Sequence, residues 1–266
     1  MIAGKHRPIG IFDSGIGGLS ICHAVKSIIP EEDVLYFADV EFSPYGTKST
    51  KMIVARSEYI VNHLVEQGCK LIVVACNTAT VNSIAMLRSK YSVPIVGVEP
   101  GIKPAALNSK KGVIGVLATE QTIKSDSFKR LKSIYDNSVQ IETKACPEFV
   151  SLVENLEHKS ALALDIAEQY IRPLLLAGCD QLILGCTHFS FLMDAIQAVV
   201  QKEAKIIDTA VPVVMEIKKQ LFNRRINNAV GLKGETNFWT SGNSENTART
   251  ISNLWGQEVK VIQTKP

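Results

Sequence analysis

A chain of 266 residues with 46% hydrophobic content is long and apolar enough for one large α/β domain or two smaller ones, which excludes a disordered chain. A net charge of +3, from 29 basic and 26 acidic residues with no Lys or Arg run beyond a pair, excludes a nucleic-acid surface as the main function. No apolar stretch approaches the roughly 18 residues of a membrane span, so no membrane partner is expected.

In chain order, apolar β-type runs are predicted at 8–12, 34–38, 71–75 and 95–98, and a second set at 113–117, 138–143, 181–184 and 205–207. Amphipathic helices fall between them, among them 51–66, 80–90 and 161–176. The tail reads as a helix over 213–224, a strand over 237–240, a capped helix from Ser244 and a strand over 259–262. Strand–helix alternation predicts parallel sheets covered by helices on both faces.

The first residues lead directly into the first strand with no apolar leader, so a cytoplasmic protein with reduced thiols is expected. Cys22, Cys69, Cys146 and Cys179 read as small buried hydrophobes. There is no Cys-x-x-Cys, and Cys186-x-His188 alone supplies too few ligands for zinc, so no metal is expected.

The two remaining cysteines sit in a repeat. Gly68 to Cys76 reappears as Gly178 to Cys186, an offset of 110 (186 − 76). Ile9-Gly10-Ile11 matches Ile114-Gly115-Val116, and Pro94-Ile95-Val96 matches Lys205-Ile206-Ile207, in the same order at nearly the same offset. Three matches predict two similar α/β halves, 1–98 with 208–266 and 99–207. Each thiol then ends a buried parallel strand, where open α/β sheets bind ligands, which places the site in the cleft between the halves. One thiol on each side of a substrate suits a reaction needing an acid on one face and a base on the other.

The flanking residues leave alternatives open. Asp13-Ser14-Gly15-Ile16-Gly17-Gly18 follows the first strand, but Ser20 stands where a dinucleotide fingerprint needs glycine, and no Walker lysine follows. The glycines serve either close helix–sheet approach or the exposure of backbone N–H groups to a carboxylate or phosphate. Asp13 can accept or orient a thiol proton. The helix starts after Cys76 and Cys186 predict depressed thiol pKa values. Asn77, Thr78 and Thr187 serve as N-caps or as donors to a substrate carboxylate. His188 is either a structural hydrogen-bonder or the proton partner of Cys186. Position alone makes Glu154 a solvated helix residue. Pro44-Tyr45-Gly46 is a turn, or a loop over the cleft.

Together these motifs resemble the glutamate racemases, within the cofactor-independent aspartate/glutamate racemase superfamily. The resemblance runs from residue 9 to about 208. It rests on Gly10 to Leu19, Pro44-Tyr45-Gly46, Ala75-Cys76-Asn77-Thr78-Ala79, Gly97 to Gly101, Thr119 with Thr122, Phe149 to Glu154, and Gly185-Cys186-Thr187-His188. His188 points to glutamate, since the aspartate-specific relatives typically carry glutamate at that position.

The resemblance implies racemisation by two bases without a cofactor. Cys76 would take the α-proton from D-glutamate and Cys186 would deliver one to the opposite face, with roles reversed for L-glutamate. Asp13 would assist Cys76, and Glu154 and His188 would assist Cys186. The substrate would be held by Asp13, Ser14, Pro44, Tyr45, Gly46, Cys76, Asn77, Thr78, Thr119, Thr122, Cys186, Thr187 and His188. It further implies a homodimer that supplies D-glutamate for peptidoglycan and cell shape; members that need a cell-wall precursor as activator tend to carry an N-terminal extension, and with the first strand beginning at about residue 8 no such requirement is expected. Phe189, Ser190 and Ser151 depart from the residues common in that family. An aspartate racemase and a two-lobed, non-catalytic amino-acid-binding protein are the competing readings.

Overall fold

The computed structural model describes residues 7–229, 231 and 233–264. The leader reading of the first residues therefore lies largely outside the described residues. The first half runs β1 (Ile9–Asp13), α1 (Leu19–Ile28), β2 (Val34–Ala38), α2 (Thr50–Glu66), β3 (Leu71–Val74), α3 (Asn77–Lys90) and β4 (Ile95–Gly97). The second runs α4 (Ile102–Asn108), β5 (Val113–Ala118), α5 (Glu120–Lys124), α6 (Asp126–Tyr135), β6 (Gln140–Ala145), α7 (Pro147–Glu154), α8 (Ala161–Leu176), β7 (Gln181–Gly185), α9 (Met193–Val200) and β8 (Lys205–Ile207). The tail adds α10 (Ala210–Asn223), β9 (Thr236–Thr240), α11 (Ser244–Trp255) and β10 (Val261–Gln263).

Two parallel sheets result. Their strand orders are β10-β9-β2-β1-β3-β4 and β6-β5-β7-β8. The stretch β2-β1-β3-β4 has the same order as β6-β5-β7-β8, and the tail extends the first sheet by pairing β9 with β2, Tyr36 opposite Phe238. Strands β1, β2, β3 and β7 are buried at every position, which is why their sequences are continuous apolar runs without alternation.

The likeness of the halves reaches individual contacts. A Cβ on Gly10 would lie 2.9 Å from Cys69 Sγ and 3.0 Å from Ile72 Cδ1; one on Gly115 would lie 2.9 Å from Cys179 Sγ and 3.1 Å from Leu182 Cδ1. Both glycines exist so that a thiol can pack across the strand. Cys69 and Cys179 are thus the buried hydrophobes the sequence predicts, and all six cysteines are free.

One face of each sheet shares a core. Ile11, Tyr36 and Val73 of the first half belong to the same buried cluster as Leu117, Phe149 and Leu184 of the second. The other faces have separate cores under α2 and α3, and under α4 and α6.

Several boundaries shift from the sequence reading for local reasons. The sixth strand starts at Gln140, because Ser138 and Val139 still bond to Tyr135 O and close α6. The last strand starts at Val261, because Val259 N is held by Ser252 Oγ. Helix α10 starts at Ala210, whose N–H donates to Asp208 Oδ1. Helix α3 starts at Asn77, since Cys76 itself is the cap.

Candidate active site

The carboxyl ends of β1, β3, β5 and β7 bring the site together. Asp13 is the last residue of β1, and its Oδ2 accepts from Gly15 N at 3.1 Å. It is fully buried, and burial raises its pKa, with the positive charge of His188 the main opposing influence. Ser14 follows, 3.6 Å from Cys76 Sγ.

Cys76 has extended backbone, and its Sγ accepts from Ala79 N at 3.4 Å. The thiol is therefore the N-cap of α3, the position the sequence offered to Asn77 and Thr78. The predicted depressed pKa is overturned here. Burial pushes the Cys76 thiol up to about 12, and the charge of Asp13 adds to the rise. The bond from Ala79 N and the contact with the Ser14 hydroxyl pull the other way, but a cap weakens neither desolvation nor a neighbouring carboxylate. In this state Cys76 holds its proton.

Cys186 follows β7 and precedes a six-residue 3-10 segment, Thr187–Leu192, before α9 begins. Its Sγ is 3.7 Å from His188 Nδ1, and His188 Nε2 is 2.8 Å from Glu154 Oε1. Burial by itself would lower the His188 pKa; hydrogen bonds to Cys186 and Glu154 outweigh it and hold the imidazole well above its usual range. As an imidazolium the ring donates from both nitrogens, one to the thiol and one to the carboxylate. Glu154, the last residue of α7, is thus no solvated helix residue: its side chain is only 25% exposed and reaches this pair.

Three hydroxyls join the halves. Thr78 of α3 lies 2.9 Å from Thr119 and 3.1 Å from Thr122, and those two are 2.9 Å apart. All are buried. Asn77 donates to Val98 O at 3.1 Å, and its Oδ1 is buried with no hydrogen-bond partner among the described residues. The Thr187 carbonyl accepts from Ser20 Oγ at 3.1 Å.

The 44–46 segment forms a 3-10 turn after a cis Ser43–Pro44 bond. Gly46 lies against Thr119, where a Cβ would be 3.1 Å from the threonine Cβ. The Tyr45 side chain is buried, and its hydroxyl donates to Asp39 Oδ2 at 2.5 Å. Arg56 grips the same carboxylate from Nε at 3.1 Å and from Nη2 at 2.7 Å. Asp39 and Arg56 escaped the sequence reading. The available signal was Asp39 directly after β2, one residue past the partner of Asp13 in the sheet; Arg56, inside a helix, gave none.

Asp13, Ser14, Cys76, Thr78, Thr119, Thr122, Thr187, Cys186 and His188 are all at most 9% exposed. The arrangement has a thiol on each half, a carboxylate or a cation beside each, and a hydroxyl cluster between. Among the described residues no group of three or more His, Cys, Asp or Glu is placed to hold a metal, and no helix is long and apolar enough to cross a membrane.

Residues 18–216 match the Asp/Glu/hydantoin racemase family. The glutamate racemase of Herpetosiphon aurantiacus is 42% identical over 245 residues, 92% of this chain and 96% of that protein. Among solved structures, a glutamate racemase isoform from Bacillus anthracis superposes with a TM-score of 0.90 at 30% identity, covering 98% of both chains. The Francisella tularensis glutamate racemase in complex with D-glutamate superposes with a TM-score of 0.86 at 27% identity, again over 98% of both. This chain belongs to the Asp/Glu/hydantoin racemase family.

Proposed function

We propose that this member of the family is an isomerase that interconverts L- and D-glutamate by proton transfer between two thiols at the α-carbon. The observation that carries the reading is the pair Cys76 and Cys186 on equivalent strand ends of two halves, Cys76 within the influence of the Asp13 carboxylate and Cys186 beside the His188 ring. A binding protein has no use for two such thiols.

Cys76 removes the α-proton of D-glutamate and Cys186 protonates the opposite face; L-glutamate reverses the roles. Cys76 must first lose its proton. Asp13 is the acceptor at hand, since burial has already raised its proton affinity. The incoming substrate ammonium places positive charge in the site, which favours the thiolate. On the other side the His188 imidazolium faces Cys186, and Glu154 fixes the ring. The Thr78–Thr119–Thr122 cluster, Asn77 and Thr187 offer hydroxyl and amide groups to the substrate carboxylates, with Ser14 and the Pro44-Tyr45-Gly46 turn closing the rim. The carbanion is stabilised by these preorganised dipoles in a site that excludes water. No electron-sink cofactor is required. The two sheets with their helices act as two domains, 1–98 with 208–266 and 99–207, that part for substrate and close for chemistry. The enzyme is a cytoplasmic homodimer supplying D-glutamate for peptidoglycan.

Circular dichroism of the purified protein with each glutamate enantiomer in deuterated buffer, without added cofactor, tests the reading. Decay of signal from both enantiomers with deuterium at the α-carbon is expected. Decay with aspartate alone would move the assignment to an aspartate racemase, and decay with neither would leave a binding protein.

A further inference from the structure

The glycine turn after β1 failed as a dinucleotide fingerprint because Ser20 occupies the third glycine position. Side chains and backbone of the other half of the protein pack against it. A Cβ on Gly17 would lie 2.2 Å from His188 Nδ1, 2.6 Å from Cγ and 2.7 Å from Cε1. The ring is 3% exposed and bonded at both nitrogens, so it cannot swing aside. A Cβ on Gly15 would lie 2.3 Å from Glu154 Oε1, and Ile16 N donates to that same oxygen at 3.4 Å. Ser20 Oγ lies 2.9 Å from Gly17 O and 3.1 Å from Thr187 O, so one hydroxyl ties the turn to the backbone between Cys186 and His188.

We infer that this turn is a socket for the proton partners of Cys186, in which Gly17 and Ser20 are positioning residues for His188; this rests on the racemase reading above. The bare backbone at Gly17 lets the ring lie flat against the turn. The Ile16 N–H meets the carboxylate that orients the ring. The geometry of the second thiol is therefore set from the first half, and it is complete only when the halves are together. Gly15 faces the end of a flexible, partly exposed side chain, which can yield; Gly17 faces a locked ring, which cannot.

Gly17→Ala, Ser20→Ala, His188→Asn and the Gly17→Ala/His188→Asn double variant test this beside the wild type. Gly17→Ala is expected to lower kcat at least about 100-fold, as a displacement near 1 Å does, and Ser20→Ala roughly 3–10-fold, the range of one hydrogen bond. In the His188→Asn background, Gly17→Ala should cost under about 3-fold more, because the ring it displaces is gone. Nitrogen NMR of the His188 imidazole should show changed shifts in Gly17→Ala and in Ser20→Ala, with or without turnover. Additive losses in the double variant, or unchanged His188 shifts in Gly17→Ala, would overturn the inference. Should Gly17→Ala not fold, Ser20→Ala decides by the same spectra. A wild type that fails to racemise glutamate would sink the function reading, while the spectra still decide the socket.

Discussion

Cys76 and Cys186 end equivalent strands, yet the groups around them are opposite in kind. Cys76 lies beside a buried carboxylate and caps a fourteen-residue helix; Cys186 lies beside a cation and enters a 3-10 segment. Residue for residue, Asp13 of β1 corresponds to Ala118 of β5, which leaves the second half no carboxylate at its strand end; its acid comes instead from Glu154 on α7. Repetition of a βα unit therefore supplies two thiols at mirrored places, and the proton chemistry around each was built separately. The enantiomers have equal free energies, so kcat/KM must be the same in both directions. The asymmetry of the site can appear only in kcat and KM taken apart.

Removing the partner of one thiol should break the comparison most. Asp13→Asn and His188→Asn are each expected to lower kcat/KM on the order of 100-fold, equally for both enantiomers, the lower end of general acid–base contributions, with the loss divided between kcat and KM differently for the two enantiomers and in opposite senses in the two variants. Steady-state kinetics with each enantiomer checks this.

The stability effects of the same two variants should differ. His188 has a raised pKa, so its protonation stabilises the fold fully below about pH 6.5, the unfolded value. That contribution is lost as pH rises through the higher folded value. Denaturant titrations from pH 6 upward should show His188→Asn least stable relative to wild type at the acid end. Asp13 also has a raised pKa, so its contribution is present at low pH and lost as pH rises through the folded value. At neutral pH Asp13→Asn should therefore be more stable than wild type while less active. A loss of stability there would show that Asp13 is held by its partners more strongly than burial opposes it.

Glu154→Gln should be milder, about 10-fold in kcat, because an amide oxygen still accepts from His188 Nε2 but no longer favours the imidazolium. Its signature is an activity profile whose basic limb moves to lower pH. Smallest is Tyr45→Phe, which leaves Asp39 with Arg56 alone. About 1.5–3 kcal/mol of stability, the value of a hydrogen bond to a charged group, should be lost, with KM affected more than kcat.

The architecture was legible because β1, β3, β5 and β7 are buried runs between helices, and because the segments of β1, β3 and β4 repeat as β5, β7 and β8. The thiols were legible from that repeat. Their environment was not. A helix start next to Cys76 suggested a lowered pKa, but burial and Asp13 are set by tertiary packing, which periodicity does not record. Glu154 became visible only through the fold that carries α7 to His188. The hydroxyl of Tyr45 was expected near the cleft and goes to Asp39, and nothing local in Arg56 announces that it grips the same carboxylate. Gly17 was read as a turn glycine, and its partner lies 171 residues away (188 − 17).

The measurement that tests the two-thiol account most directly is α-proton exchange in deuterated water with Cys76→Ala and Cys186→Ala, followed by NMR for each glutamate enantiomer separately. The account predicts that neither variant racemises, that Cys76→Ala exchanges only L-glutamate, and that Cys186→Ala exchanges only D-glutamate. Racemisation by either variant, or exchange of both enantiomers through one remaining thiol, would contradict it.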